Sequence, residues 1–250
     1  MRQKIVALFV ASLIACQADT ARDVGGTRGE PPDRSAMADS ALASEAGHVG
    51  SAAPETVPAR NGRAAVLFLG TSLSAGYGVG AGAAYPALIQ QRIDSAGLPY
   101  RVVNAGLSGE TSAGGLERLE WSLQDSIAVL VLELGANDGL RGLPVDRMRA
   151  NLDEILRRTR ERYPDARLVI AGMEAPPNLG SEYTRAFRQV FPALARKYDA
   201  ELIPFLLEGV AAEPTLNQED GIHPNEQGHA RIAERVWEVL LPVLDEGVRR

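Results

Sequence analysis

From residue 64 onward the apolar positions fall into two textures: short unbroken runs, and positions spaced three or four apart. The run AAVLFL at 64–69 contains no polar residue and reads as a strand buried on both faces. The run IAVLVLEL at 127–134 is the strongest of its kind and the expected centre of a sheet. Shorter runs predict strands over 100–105, 168–171 and 202–205. Between them the spacing becomes helical. Tyr85, Leu88, Ile89 and Ile93 share one face over 85–96, and Leu116, Leu119 and Leu123 do so over 115–123. Val145, Met148, Leu152, Ile155 and Leu156 form the stripe of 145–163. Tyr183, Phe187, Val190, Phe191 and Leu194 form the next. A last helix carries Ile232, Val236, Val239 and Leu240. It is expected to begin after Pro224 with Asn225 as its cap, and to end or kink at Pro242. This β/α alternation predicts a parallel sheet with helices on both faces. About 190 residues suffice for one such domain with a sizeable core.

The preceding residues are different material. Arg2 and Lys4 give a basic start, and 5–15 is an apolar segment too short to span a bilayer as a helix. That is the form of an export signal. Its end, Leu13-Ile14-Ala15-Cys16, resembles a bacterial lipobox, whose cysteine is lipidated after cleavage. Several acyl chains on Cys16 would give stable attachment to a membrane. By the same resemblance, Gln17 rather than Asp after the cysteine points to the outer membrane. Residues 17–63 hold no aromatic residue and no isoleucine. Such a stretch cannot bury enough apolar surface to offset its chain entropy. The expected organisation is therefore a signal segment at 1–15, a disordered tether at 16–63 and a folded domain at 64–250. The protein is expected to be exported, periplasmic and anchored through lipid on Cys16.

Composition narrows the chemistry. A net charge of −6 argues against nucleic-acid binding, which favours a basic surface. One cysteine allows no internal disulfide and no Cys-based zinc site. Only three histidines exist: His48, His223 and His229. His48 lies in the tether, so histidine-dependent chemistry rests on the other two. No metal and no cofactor is expected.

In open parallel sheets, functional residues collect in the loops after the strands. After the first strand comes Ser72, set among small residues. After the second comes a loop holding Gly109, and after the third one holding Asn137 and Asp138. Near the end comes Asp220-Gly221-Ile222-His223-Pro224. A serine hydroxyl needs an adjacent base to act as a nucleophile, and an imidazole with a carboxylate behind it supplies one. The tetrahedral intermediate then needs donors for its oxyanion. Backbone N–H groups of Ser72 and Gly109 and the Asn137 amide are candidates. Each residue also has a plain structural reading. Ser72 reads as a helix cap, Asp220-Gly221 and Asn137-Asp138-Gly139 as turns, and Gly109 as a positive-φ position. His223 could cap the last helix or pack beneath it. His229 is the competing base, though its place in the last helix suits packing, and Asp138 is the rival carboxylate.

Four stretches decide between these readings: LGTSLSAGY at 69–77, VNAGLSGET at 103–111, ELGANDGLRG at 133–142 and DGIHP at 220–224. In this order they resemble the SGNH, or GDSL-type, hydrolase family, and within it the bacterial thioesterase I/lysophospholipase/arylesterase group. The resemblance implies a flavodoxin-like three-layer α/β/α fold with a five-stranded parallel sheet. It implies Ser72 as nucleophile with His223 and Asp220 completing a triad, and Ser72, Gly109 and Asn137 lining the oxyanion hole. One position departs: the family usually has Asp before the serine, where this chain has Thr71. Ser74 in place of a second elbow glycine also argues against an ordinary α/β-hydrolase.

The expected function is hydrolysis of carboxylic esters, and of thioesters, of acyl chains through an acyl-enzyme. Lysophospholipids are among the expected substrates, and a monomer is expected. Outside the cytoplasm acyl-CoA is scarce, which favours oxygen esters. The segment 173–180, rich in Pro and apolar residues, should flank the acyl chain. Two other readings stay open: an envelope-glycan deacetylase or acyltransferase of the same fold, and a non-catalytic acyl-binding lipoprotein.

Overall fold

The computed structural model describes residues 62–249. The signal segment, Cys16 and the tether up to residue 61 lie outside the described residues. The elements run β1 (Ala64–Gly70), α1 (Ser72–Ala75), α2 (Tyr85–Ser95), β2 (Tyr100–Gly106), α3 (Ser112–Glu117) and α4 (Leu119–Ser122). They continue with β3 (Ile127–Glu133), α5 (Ala136–Leu140), α6 (Val145–Arg162), β4 (Arg167–Ala171), α7 (Ser181–Tyr198), β5 (Glu201–Ile203) and α8 (Glu226–Val248). The five strands form one parallel sheet in the order β2-β1-β3-β4-β5. This is the flavodoxin-like order, in which the chain reverses its direction of travel between β1 and β3. The crevice at that reversal, beyond the strand ends, is where such sheets bind ligands.

The two apolar runs become the two strands flanking the reversal. Residues 65–69 of β1 and nearly all of β3 are buried. Helix α2 packs on α8, while α3, α6 and α7 pack in succession, giving the three-layer α/β/α arrangement. Aromatic rings are few but central: Phe68 meets Tyr85 edge-on at 5.6 Å, and Phe187 meets Phe191 at 5.5 Å.

Two expected elements differ. The helix at 115–123 is broken at Arg118 into α3 and α4. The Arg118 side chain turns back to the Ala105 carbonyl at 2.7 Å and pairs with Glu110, so the break serves a long-range contact. The last helix does not end at Pro242 but runs to Val248. Proline costs one helical hydrogen bond there, which burial of Val243 and Leu244 just beyond it offsets. Tyr100 also donates to the Leu244 carbonyl at 3.2 Å.

Candidate active site

β1 delivers Ser72 to the crevice through a single tight turn. The residue that caps α1 is Thr71, not Ser72: its backbone is extended, and its Oγ1 accepts from Leu73 N at 3.5 Å. Ser72 is therefore the first helical residue, and its own N–H has no intrahelical acceptor. Its hydroxyl is free of capping and faces His223. Ser72 Oγ lies 3.1 Å from His223 Nε2.

His223 comes from the loop before α8, which is braced at several points. Asn217 and Pro224 form an antiparallel bridge, Gln218 N donates to the His223 carbonyl at 2.8 Å, and Gly221 takes a positive φ of 67°. Gln218 Nε2 also donates to the carbonyls of Tyr77 and Pro224, tying this loop to the one after α1. The Tyr77 ring lies over the imidazole with centroids 4.6 Å apart. Behind the imidazole, Nδ1 meets Asp220 Oδ2 at 2.6 Å. The other oxygen, Oδ1, accepts from Ile222 N and His223 N, both at 2.9 Å. Burial alone would raise the Asp220 carboxyl, but these hydrogen bonds from His223 and Ile222 outweigh it and hold it at about 2. Asp220 thus faces the histidine as a carboxylate.

The loops after β2 and β3 supply the remaining groups. Gly109 has φ 78°, a left-handed conformation that needs glycine. Arg141 Nη2 donates to the Gly109 carbonyl at 2.8 Å and fixes that peptide. Asn137 stands in the first turn of α5, and its amide donates to the Glu110 carbonyl at 2.9 Å. An amide NH₂ has two hydrogens, so one is left for a ligand. Ser72, Gly109, Asn137 and His223 line one cavity of about 710 Å³. Its apolar wall is formed by Leu140, Met173, Pro176, Pro177, Phe205 and Leu207. Of the segment 173–180, residues 173–177 border the cavity. Phe205, expected at the end of the fifth strand, and Leu207 both lie after β5, and nothing in the local pattern signals their place in the wall.

The rivals are placed elsewhere. His229 is buried in α8, stacks on Tyr85 and accepts from Tyr85 N at 3.3 Å. Burial, with the charge of His223 adding to it, lowers its pKa to about 4, so it stays neutral. Asp138 is buried and accepts from Ser112 N at 2.8 Å and Ser112 Oγ at 2.6 Å, which ties α5 to α3. Among the described residues no three His, Cys, Asp or Glu side chains gather as metal ligands would.

One further residue beside the site escaped the sequence reading. Glu133, the last residue of β3, is fully buried beneath the Ser72 turn. Burial pushes it up to about 7 against the hydrogen bonds from Thr71 and Ser74 that oppose the rise. Its signal was available: it is a charged side chain within an unbroken apolar run, where only a partnered charge survives.

Comparison with known proteins supplies the family. Residues 68–231 match the GDSL-like Lipase/Acylhydrolase family. The chain is 41% identical over 180 residues to Esterase TesA of Pseudomonas aeruginosa, covering 72% of this chain and 89% of that one. It is 39% identical over 181 residues to the Escherichia coli protein named Thioesterase 1/protease 1/lysophospholipase L1, covering 72% and 85%. A crystal structure of TesA superposes with a TM-score of 0.68 at 40% identity, over 72% of this chain and 99% of that one. A psychrotrophic esterase, EstA from Pseudoalteromonas, inhibited by monoethylphosphonate, gives 0.68 at 32% identity, over 72% and 98%. Four sequence blocks, the sheet order and these matches converge: the chain belongs to the GDSL-like lipase/acylhydrolase family.

Proposed function

We propose that the protein is a serine esterase acting on esters of acyl chains. The observation that carries this reading is the line Ser72 Oγ–His223 Nε2–Asp220 Oδ2 opening into an apolar cavity. His223 Nε2 takes the proton of Ser72 as Oγ bonds to the carbonyl carbon. The oxyanion lies against the N–H groups of Ser72 and Gly109 and the Asn137 amide. The carbon–leaving-oxygen bond then breaks, and the departing alkoxide receives the proton from His223. Water, deprotonated by the same imidazole, attacks the acyl carbon; the acyl–Oγ bond breaks, the acid leaves, and His223 returns the proton to Ser72 Oγ. Asp220 holds Nδ1–H in place and balances the imidazolium.

The cavity's apolar wall favours an acyl chain over a glycan acetyl group. Relatives named as an esterase and as a thioesterase/lysophospholipase support a substrate range of oxygen esters, thioesters and lysophospholipids. The lipobox-like Leu13-Ile14-Ala15-Cys16 supports export and anchoring in the outer membrane, facing the periplasm. An anchor there would hold the enzyme beside lysophospholipids and away from acyl-CoA.

A series of p-nitrophenyl esters tests the reading. Turnover is expected with a maximum at a chain length the cavity accommodates, together with covalent capture of Ser72 by an organophosphonate. A folded protein that neither hydrolyses any ester nor takes up the phosphonate would overturn it. Asn137→Ala is expected to lower kcat by about 10²–10³-fold with little change in KM, the usual cost of one oxyanion donor. A kcat within a few-fold of the parent would remove Asn137 from the oxyanion hole.

A further inference from the structure

Strand pairing sets Glu133 opposite Gly70, the last residue of β1. A Cβ on Gly70 would lie 2.6 Å from Glu133 Oε2, so the glycine is what lets the carboxylate pass beneath the turn. There it accepts four hydrogen bonds. Oε2 receives Thr71 N at 2.9 Å, Ser74 N at 3.2 Å and Ser74 Oγ at 2.8 Å, and Oε1 receives Thr71 Oγ1 at 2.8 Å. Ser74 Oγ in turn meets the Tyr85 hydroxyl at 2.6 Å. Among the described residues no cation lies within ion-pair distance of Glu133; Arg118 reaches the Gly70 carbonyl at 3.4 Å but pairs with Glu110.

Stability alone does not account for this carboxylate. A buried charge without a cation is costly, and an apolar side chain of like size would serve the core better. What the carboxylate does locally is specific. Thr71 and Ser74 bracket Ser72, and both are tied, backbone and side chain, to one rigid acceptor at the end of the central strand. Leu73 N–H goes to Thr71 Oγ1. Among the first N–H groups of α1, the one left for a ligand is that of Ser72. We infer that Glu133 is a positioning residue of the esterase reaction: it fixes the turn on both sides of Ser72 and so sets the approach of Ser72 Oγ to His223 Nε2. The inference rests on the reading of Ser72 as nucleophile.

The role requires an acceptor at Oε2, not a charge. Glutamine retains that oxygen, and its NH₂ can donate to Thr71 Oγ1, whose hydroxyl accepts as readily as it donates. Leucine retains neither. Glu133→Leu and Glu133→Gln are therefore compared with the parent by organophosphonate titration of Ser72 and by ester turnover. The titration counts competent sites, and the acylation rate constant is then expressed per site. Glu133→Leu is expected to lose about 100-fold in that rate constant, the scale of a misplaced reacting group, with KM within about threefold. Glu133→Gln is expected to return to within about tenfold of the parent. A Glu133→Leu protein with fewer titratable sites but an unchanged rate per site would overturn the inference, because Glu133 would then serve the fold alone. So would a Glu133→Gln protein no faster per site than Glu133→Leu. Should Glu133→Leu fail to fold, Thr71→Val/Ser74→Ala carries the test. It removes two of the four donors, and an unchanged rate per site there overturns the inference too. A parent protein that neither turns over esters nor is phosphonylated would instead sink the esterase reading, and the role of Glu133 with it.

Discussion

Replacing Ser72 by alanine is expected to lower kcat/KM by about 10⁵–10⁶-fold, the usual consequence of removing the nucleophile from a serine hydrolase. The substitution removes one oxygen from the first turn of α1. It should leave the fold untouched, because Thr71, not Ser72, caps that helix and bonds to Glu133. The variant should therefore keep the parent's thermal midpoint, and it should bind a slowly hydrolysed ester with similar affinity in the apolar cavity. It should lose the burst of p-nitrophenol that marks acyl-enzyme formation, and it should not react with an organophosphonate. Rate and burst measured together separate this outcome from a mere change in folding. Retained burst kinetics would place the nucleophile elsewhere and undo the mechanism.

The sheet was legible because buried parallel strands announce themselves as unbroken apolar runs, and both strands beside the reversal, β1 and β3, are of that kind. The catalytic candidates were legible for a related reason. In a parallel sheet every strand points its carboxyl end the same way, so Ser72, Gly109 and Asn137, each just after a strand, had to meet at one edge. What escaped depends on contacts far apart in sequence. The break at Arg118 answers to the Ala105 carbonyl across the loop that leaves β2. The continuation of α8 past Pro242 answers to the packing of Val243 and Leu244. The cavity wall from Phe205 and Leu207 depends on how the segment after β5 folds back over the crevice. Thr71 shows the limit most clearly. In sequence it is a departure from the family's usual Asp. In the structure it caps α1, donates to Glu133, and keeps Ser72 free of both tasks.

Asp220→Asn tests whether the carboxylate works by fixing the histidine tautomer, and the structure dictates which way the new amide must turn. Oδ1 accepts two backbone N–H groups, from Ile222 and His223. An asparagine must keep its carbonyl oxygen there, since an NH₂ would face two donors. Its nitrogen then occupies the place of Oδ2 and points an N–H at His223 Nδ1. The imidazole can meet it only by making Nδ1 the acceptor, which moves the ring proton to Nε2, facing Ser72. In that tautomer Nε2 cannot take the serine proton. The expected loss in kcat is about 10⁴-fold, as for the same change in the chymotrypsin-type triad. KM should change little, because Asp220 lies behind the histidine and away from the acyl wall. In the parent the carboxyl, held at about 2, is ionised throughout the neutral range. Loss of activity between about pH 5 and 7 in the parent therefore does not report protonation of Asp220. A pH–rate profile of the folded Asp220→Asn protein with kcat near pH 7 within about tenfold of the parent would falsify the tautomer argument. It would mean that the Ile222 and His223 N–H groups release the amide to turn over, and that the braced loop does not hold its oxygen as the distances require.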